Sequence, residues 1–155
     1  PLPYLEKIKG LSDGNRVQIY EDTGEGYREE ASYFVPDAYR SEDRIDFTIP
    51  VSGKIKNLRI DPALCSCLVK VTGLYWNGES ICPGKRKLFV VNGRQIKSGS
   101  KETAEFIFPT QDPNLNIRVE KVFGKKVLPE NQLRITMEVI KIPEEIASDL
   151  AGSTK

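Results

Sequence analysis

The chain has 155 residues, of which 39% are hydrophobic and 29% charged, and its 23 Lys and Arg residues against 22 Asp and Glu residues leave a net charge of +1. This length suits one domain that buries a core without help from a metal or disulfide. The charge balance excludes a global field that would attract nucleic acid, and no apolar run approaches the ~20 residues of a membrane span. Histidine is absent, which excludes Ser-His-Asp and Cys-His catalysis and metal sites with histidine ligands. We therefore do not expect this chain to be an enzyme.

The first segment, residues 1–15, predicts a short helix or an extended arm. Leu5, Ile8 and Leu11 recur at helical spacing before a turn cluster at residues 12–15. The chain shows neither an initiator methionine nor a signal-peptide pattern, so we expect a fragment of a larger protein.

The central segment, residues 16–142, changes to a hydrophobic period of two, which indicates strands with one buried and one wet face. About nine such strands with no long helical pattern between them predict an all-β, antiparallel β-sandwich that is jelly-roll-like, with short terminal helices. The clearest alternations are Val17/Ile19, Ile45/Phe47/Ile49, Leu58/Ile60, Ala104/Phe106/Phe108, Leu115/Ile117/Val119 and Leu133/Ile135/Met137/Val139.

Turn chemistry divides these strands. Asn-Gly at residues 77–78 and again at residues 92–93 predicts two type I′ hairpins, because both residues must adopt positive φ. The Asp-Pro pairs at residues 61–62 and 112–113 are typical of strand exits, since proline cannot donate to a ladder.

The last segment, residues 143–155, predicts a short helix followed by a tail or linker. Pro143 with Glu144 and Glu145 favours a first helical turn, and Gly152 is expected to end the helix.

Three cysteines, Cys65, Cys67 and Cys82, are too few and odd in number for a disulfide framework, which favours a reducing compartment and a cytoplasmic location. Three thiolates could approach a metal, but the chain has no histidine as a fourth ligand, so we expect no metal site. Alternatively, Cys65 and Cys67 share parity and pack as small apolar groups on one face of a strand.

An acidic stretch, "YEDTGEGYREE" at residues 20–30, follows the first strand and carries five carboxylates and two glycines. Three interpretations stay open: a calcium loop, a sugar contact, or a structural turn with a solvated acidic rim. The order of oxygens does not match an EF-hand, and the stretch lacks the lysine of a phosphate loop. We therefore expect no cofactor, with calcium as the alternative.

Aromatic side chains beside these acids are candidates for carbohydrate binding, because sugar rings stack on aromatic faces while planar polar groups bind hydroxyls. Tyr20 has the opposite parity to Val17 and Ile19 and should point outward. Trp76 shares parity with Leu74, so core or hairpin packing is its alternative. The carbohydrate-binding candidates are Tyr20, Asp22, Glu25, Tyr27, Tyr75 and Trp76.

A basic stretch, "GKRKLFVVNGRQIKSGSK", has no acid until Glu102. A hairpin at residues 92–93 would gather its charges into a patch for an anionic glycan, lipid phosphate or an acidic partner. The alternative is that lysines protect an exposed edge hairpin from aggregation. The basic candidates are Lys85, Arg86, Lys87, Arg94, Lys97 and Lys101.

The ordered set "VQIYEDTGEGYREEASYFVP", "RIDFTIPVSGKIKNLRIDPALCSCLVKVTGLYW" and "FPTQDPNLNI" resembles the β-sandwich accessory modules of bacterial cell-surface polysaccharide glycosyltransferases, the rhamnan-synthesis type among them. The resemblance covers roughly residues 16–141. It is carried by Tyr20, Asp22, Gly24, Gly26 and Tyr27, by Arg59 to Pro62 with Cys67, and by Asp112 and Pro113.

The resemblance implies a non-catalytic module that binds glycan or docks a neighbouring glycosyltransferase domain. The transferase itself is not expected here, since the chain lacks an Asp-x-Asp motif and strand–helix alternation. The alternatives are a protein–protein interaction module without carbohydrate binding and, further off, an independent glycoside hydrolase built on a carboxylate pair. Neither catalytic residues nor a nucleic-acid partner is predicted.

Overall fold

The structure, a computed structural model, describes residues 15–97 and 100–153. Two antiparallel sheets pack face to face, so the predicted all-β sandwich is confirmed. Residues 1–14 of the predicted N-terminal arm lie outside the described residues. Neither helix in the described part of the chain has the length and apolarity that crossing a bilayer requires.

The strands are β1 (Gln18–Asp22), β2 (Ser32–Phe34), β3 (Arg44–Ser52), β4 (Asn57–Asp61), β5 (Cys67–Trp76), β6 (Glu79–Ser80), β7 (Phe89–Val91), β8 (Arg94–Ile96), β9 (Ala104–Phe108), β10 (Leu115–Arg118) and β11 (Glu130–Lys141). The first sheet has the strand order β2-β1-β4-β10-β7, and the second has β3-β11-β5-β9-β8 with β6 beside β5. The chain passes repeatedly between the sheets, which gives the sandwich its jelly-roll-like character. The helices are α1 (Val119–Phe123) and α2 (Glu144–Ser153), with 3₁₀ turns at Glu29–Ala31 and Gly124–Lys126.

The period-two pattern correctly predicts which side chains form the core. Strand β11 is the longest, and its alternate residues Leu133, Ile135, Met137 and Val139 are at most 2% exposed. It pairs with β3 on one side and β5 on the other, so it is an interior strand of the second sheet and its apolar face contributes to the core. The same alternation on β1, β4 and β10 of the first sheet supplies the facing layer.

One of the two predicted hairpins is confirmed. Asn77 and Gly78 have φ values of 51° and 82°, and the flanking residues of β5 and β6 pair directly. The prediction at Asn92 and Gly93 is wrong, because β7 pairs with β10 in the first sheet whereas β8 pairs with β9 in the second. Glycine is needed at position 93 for a close approach, since a Cβ there would lie 2.3 Å from the carbonyl oxygen of Ile107.

The two Asp-Pro pairs lie at different ends of their strands in the first sheet. Asp61 ends β4, as predicted, but Asp112 precedes β10 instead of leaving a strand. Strands β4 and β10 run antiparallel, so the exit of one and the entry of the other lie at the same end of the sheet. This brings the two aspartates together.

The predicted C-terminal helix is confirmed as α2, although it continues through Gly152 to Ser153. It packs against β9, where Ala147 is fully buried and the outward-facing Ile107 is only 2% exposed. The guanidinium of Arg94 donates to the carbonyl oxygen of Ala151 at 3.0 Å, which satisfies an acceptor in the last turn.

Candidate functional site

A group of polar and aromatic side chains crosses the outer surface of the first sheet. Tyr20 of β1 lies beside Arg59 of β4, which lies beside Asn116 of β10. Side chains of opposite parity fill the core, so this row must face outward. We use the name polar face for four outward residues of these strands, Tyr20, Arg59, Asp61 and Asn116, together with Tyr27 and Asp112 from the adjoining loops.

Arg59 is the centre of the polar face. Its Nε and Nη2 donate to the two carboxylate oxygens of Asp61 at 2.8 and 2.9 Å, a bidentate geometry that fixes both planar groups. Nη2 also approaches Oδ1 of Asp112 at 3.4 Å. The guanidinium carbon stands 4.6 Å from the ring centroid of Tyr20, within the range of a cation–π contact.

Tyr20 points outward as predicted but is only 8% exposed, because Arg59 lies over its ring. Its hydroxyl donates to Oε1 of Glu29 at 2.9 Å, and the ring of Tyr27 meets it edge-on with centroids 6.4 Å apart. Burial, with the bond to Glu29 second, raises the pKa of Tyr20 to about 12, and burial raises the pKa of Tyr27 to about 12. Both phenols therefore stay protonated at neutral pH.

The contact between Arg59 and Asp61 determines the charge state of both side chains. Burial raises the pKa of Asp61 from its ordinary value, and the two hydrogen bonds from Arg59 oppose that shift. The hydrogen bond to Asp61 raises the pKa of Arg59. A bidentate contact with a guanidinium requires the carboxylate form, so the pair is ionised at neutral pH.

Unused donors and acceptors remain side by side on this face. Within the part of the chain that the structure describes, Nη1 of Arg59 and Oδ2 of Asp112 have no hydrogen-bond partner. The side chain of Asp112 is 72% exposed. A ligand that brings an acceptor and a donor a few ångströms apart, as neighbouring sugar hydroxyls do, would satisfy both.

The acidic stretch at residues 20–30 forms a structural turn around Asp22. Oδ1 of Asp22 accepts the backbone N–H groups of Gly24 and Gly26 at 2.7 and 2.8 Å, and Oδ2 accepts Nδ2 of Asn57 at 2.8 Å. Chiefly the bond from Asn57, then that from Gly24, holds the pKa of Asp22 below its usual 3.8. The glycines take φ values of 122° and 88°, which explains their presence. Asp22 therefore stabilises the loop that carries Tyr27.

The other predicted carbohydrate-binding residues do not join Tyr20, Asp22 and Tyr27. Glu25 is at the exposed tip of the loop, where it pairs with Arg28 at 3.4 Å. Tyr75 belongs to β5 of the second sheet, and Arg134 lies 5.3 Å from its ring.

Trp76 packs in the core, which was the alternative to carbohydrate binding for this residue. It is 1% exposed, stacks on Phe123 with centroids 4.0 Å apart, and donates from Nε1 to the carbonyl oxygen of Lys126 at 3.0 Å. A side chain buried in this way offers no surface to a glycan.

The predicted basic patch is only partly assembled. Arg94 bonds to α2, and Lys97 lies beyond β8. The loop with Lys85, Arg86 and Lys87 does meet the segment of Lys101, because the N–H of Gly84 donates to the carbonyl oxygen of Lys101 at 2.8 Å. The hairpin that was expected to gather the six charges does not exist, since residues 92–93 connect two sheets.

The cysteines are free thiols in three different environments. Cys67 is fully buried at the start of β5, Cys65 is half-buried before that strand, and Cys82 is exposed. Burial raises the pKa of Cys67 to about 12, so its thiol stays neutral. Among residues 15–97 and 100–153, no three His, Cys, Asp or Glu side chains are grouped as metal ligands.

Sequence reasoning missed Arg59, Asp61, Asp112 and Asn116 as members of the site. The two Asp-Pro pairs were the available signal, since antiparallel neighbours place a strand end beside a strand start. No family model matches the chain, nor does any curated protein or solved structure.

Proposed function

We propose that this chain is a non-catalytic glycan-binding module whose ligand lies across the polar face. The observation that carries the proposal is the fixed Arg59–Asp61 pair stacked on Tyr20, with an unused donor on Arg59 beside an unused acceptor on Asp112. Planar groups held in place before binding lose little conformational entropy when a sugar arrives.

The rest of the polar face supports a sugar over an ionic ligand. Tyr27 is half-buried and presents part of an aromatic ring, and Asn116 adds an amide whose Nδ2 donates to the carbonyl oxygen of Val90 at 3.0 Å. Arg59 is offset by Asp61 and Asp112, so the centre of the face is not cationic. This chemistry fits a neutral saccharide.

The sequence resemblance supports a place for this module beside a glycosyltransferase of bacterial surface-polysaccharide assembly. In that setting the module would hold the growing glycan near a neighbouring catalytic domain. The free thiols agree with the reducing, cytoplasmic compartment expected from the cysteine count.

Titration of the chain with soluble oligosaccharides of rhamnose, mannose, galactose and N-acetylglucosamine tests this proposal. Asp112→Asn and Arg59→Lys should each weaken binding by a factor of about 2–10, the value of one lost hydrogen bond. The matched control is the Arg134–Asp46 pair on the second sheet, which has the same bidentate geometry at 3.1 and 3.0 Å and lies near Tyr75.

Arg134→Lys and Asp46→Asn should leave glycan affinity unchanged. Absence of binding to the whole panel, or equal losses in the control pair, would refute a carbohydrate site on the polar face. Binding of a neighbouring transferase domain in place of sugars would support the docking alternative.

A further inference from the structure

The net charge of +1 conceals an uneven distribution of charge over the sandwich. Strand β4 begins at Asn57, β10 ends at Arg118 and β7 begins at Phe89, and these residues lie at one end of the first sheet. The segments 53–56, 82–88 and 118–126 therefore meet at that end. We call these three segments the basic corner.

The basic corner contains nine Lys and Arg residues and a single acid, Glu120. Eight of the nine basic side chains are exposed, and Arg118 is half-buried. Lys126 pairs with Glu79 at 2.9 Å, whereas Lys87 and Lys121 have no ion pair within the described residues. The corner therefore presents a dense group of unneutralised cations.

The turns of the corner are held in fixed positions by backbone and core contacts. The N–H of Val119 donates to the carbonyl oxygen of Lys56 at 2.9 Å, and the N–H of Gly53 donates to that of Pro129 at 2.9 Å. Helix α1 is anchored by Phe123, which stacks on Trp76 in the core. The cations are thus presented by a rigid surface and not by a loose tail.

One apolar side chain protrudes next to these cations. Leu128 is 52% exposed, two residues after Lys126. Its backbone is clamped by the buried Asn131, whose Oδ1 accepts the N–H of Leu128 at 2.8 Å and whose Nδ2 donates to its carbonyl oxygen at 2.8 Å. An exposed leucine on a rigid turn carries a hydration cost that a bilayer would remove.

We propose that the basic corner docks this chain on an anionic lipid bilayer, with Leu128 entering the headgroup region. Clustered lysines gain affinity from anionic headgroups, and an apolar side chain adds a term that a dissolved polyanion does not supply. The one aromatic ring of the three segments, Phe123, is 3% exposed, and Phe89, directly after the second segment, is 7% exposed, so the stacking surface that single-stranded nucleic acid requires is missing there.

The neighbouring acidic turn sets the orientation. It follows β1, which lies beside β4 on the side away from β10 and β7, and it carries Glu25, Glu29 and Glu30. An anionic surface would repel this turn. The bilayer should therefore contact this end of the first sheet on the side of β10 and β7.

Co-sedimentation with vesicles tests the docking surface directly, and it does not depend on the glycan proposal. We expect binding to phosphatidylcholine vesicles that contain about 30% phosphatidylglycerol, an anionic lipid. Binding should be lost at high salt, because the Debye length shrinks to about 3 Å at 1 M. Lys87→Glu with Lys121→Glu should weaken binding at least about twentyfold, since each lysine contributes roughly fivefold.

Three comparison variants separate this surface from general electrostatics and from the glycan site. Arg40→Glu with Arg44→Glu changes the same charge at the opposite end and should have little effect. Leu128→Ser should weaken vesicle binding but leave binding to heparin, a soluble polyanion, unchanged. Arg59→Lys should bind vesicles normally, so failure of the glycan proposal is distinguishable.

Three results would overturn the proposal: no vesicle binding at low salt, equal losses in the Arg40/Arg44 control, or binding to heparin without binding to vesicles. The last result would assign the corner to a polyanionic glycan. Thermal unfolding of each variant shows whether a loss reflects misfolding, and the exposed positions chosen should leave the melting temperature unchanged.

Discussion

Asn131 is the side chain whose removal should show most clearly how the turns near the basic corner are held. It is 4% exposed, and its amide makes four hydrogen bonds. Nδ2 donates to the carbonyl oxygens of Val51 and Leu128 at 3.0 and 2.8 Å, while Oδ1 accepts from the N–H of Leu128 at 2.8 Å and from Nδ2 of Asn77 at 3.0 Å.

The expected cost of Asn131→Ala follows from these contacts. A net contribution of about 1 kcal/mol per hydrogen bond predicts a loss of about 3–4 kcal/mol in the free energy of unfolding. That is a large part of the roughly 5–15 kcal/mol that stabilises a typical domain. Asn131→Asp should also destabilise, because a carboxylate cannot donate to the carbonyl oxygens of Val51 and Leu128.

Urea unfolding followed by the fluorescence of Trp76, the only tryptophan in the chain, measures this loss. The midpoint should fall while the slope with urea stays constant. Asn114→Ala is the control, since the side chain of Asn114 is half-buried and accepts one bond, from Nδ2 of Asn116 at 3.0 Å, besides a longer one that it donates. A loss below about 1 kcal/mol for Asn131→Ala would show that water replaces the amide and that the clamp is not structural.

Three further predictions concern single contacts. Gly93→Ala should cost about 1–3 kcal/mol in urea unfolding because its Cβ would lie 2.3 Å from a backbone oxygen, whereas Gly152→Ala, with open space around it, should cost nothing. Phe123→Ala should cost about 3–5 kcal/mol and shift the emission of Trp76 to longer wavelength, and an unshifted spectrum would contradict the observed stacking. Asp22→Asn should lower stability at neutral pH, where the depressed pKa of Asp22 contributes, and the difference from the parent should vanish as pH falls from 3.8 through the folded-state pKa in a series of urea midpoints.

The sequence pattern predicted the sheets well because burial enforces strict alternation. A slip of one residue on β11 would move Ile135 from the core to solvent, so the pattern determines which face is inside. The same logic gave the outward direction of Tyr20. It could not give the exposure of Tyr20, which depends on Arg59, a residue 39 positions away on another strand.

Local turn chemistry was a poorer guide, because the dipeptide Asn-Gly has two different structural roles in this chain. Asn77 and Gly78 form the expected hairpin, whereas Asn92 bonds across to Asn114 and Asp112 while Gly93 allows contact between strands. Both uses need a small residue after asparagine, so the dipeptide alone does not distinguish them. Strand pairing decides between them, and that is a long-range property.

The candidate site was missed for a similar reason. Arg59 and Asp61 are two residues apart on one strand, and their outward parity was available from Leu58 and Ile60. Asp112 joins them only because β4 and β10 are adjacent, which periodicity does not reveal. Acidic and aromatic residues that are close in sequence attracted the prediction, whereas the structure shows Asp22 used for loop closure.

The polar face and the basic corner meet on β10 but point in different directions. Asn116 faces outward from the middle of the sheet, whereas Arg118 is at the strand end. A bilayer that contacts the strand ends would leave the sheet surface at its side, so the strands would stand upright on the membrane. A glycan could then cross the polar face without displacing the membrane contact. We therefore expect the two binding reactions to be independent, and competition between vesicles and oligosaccharide would contradict this arrangement.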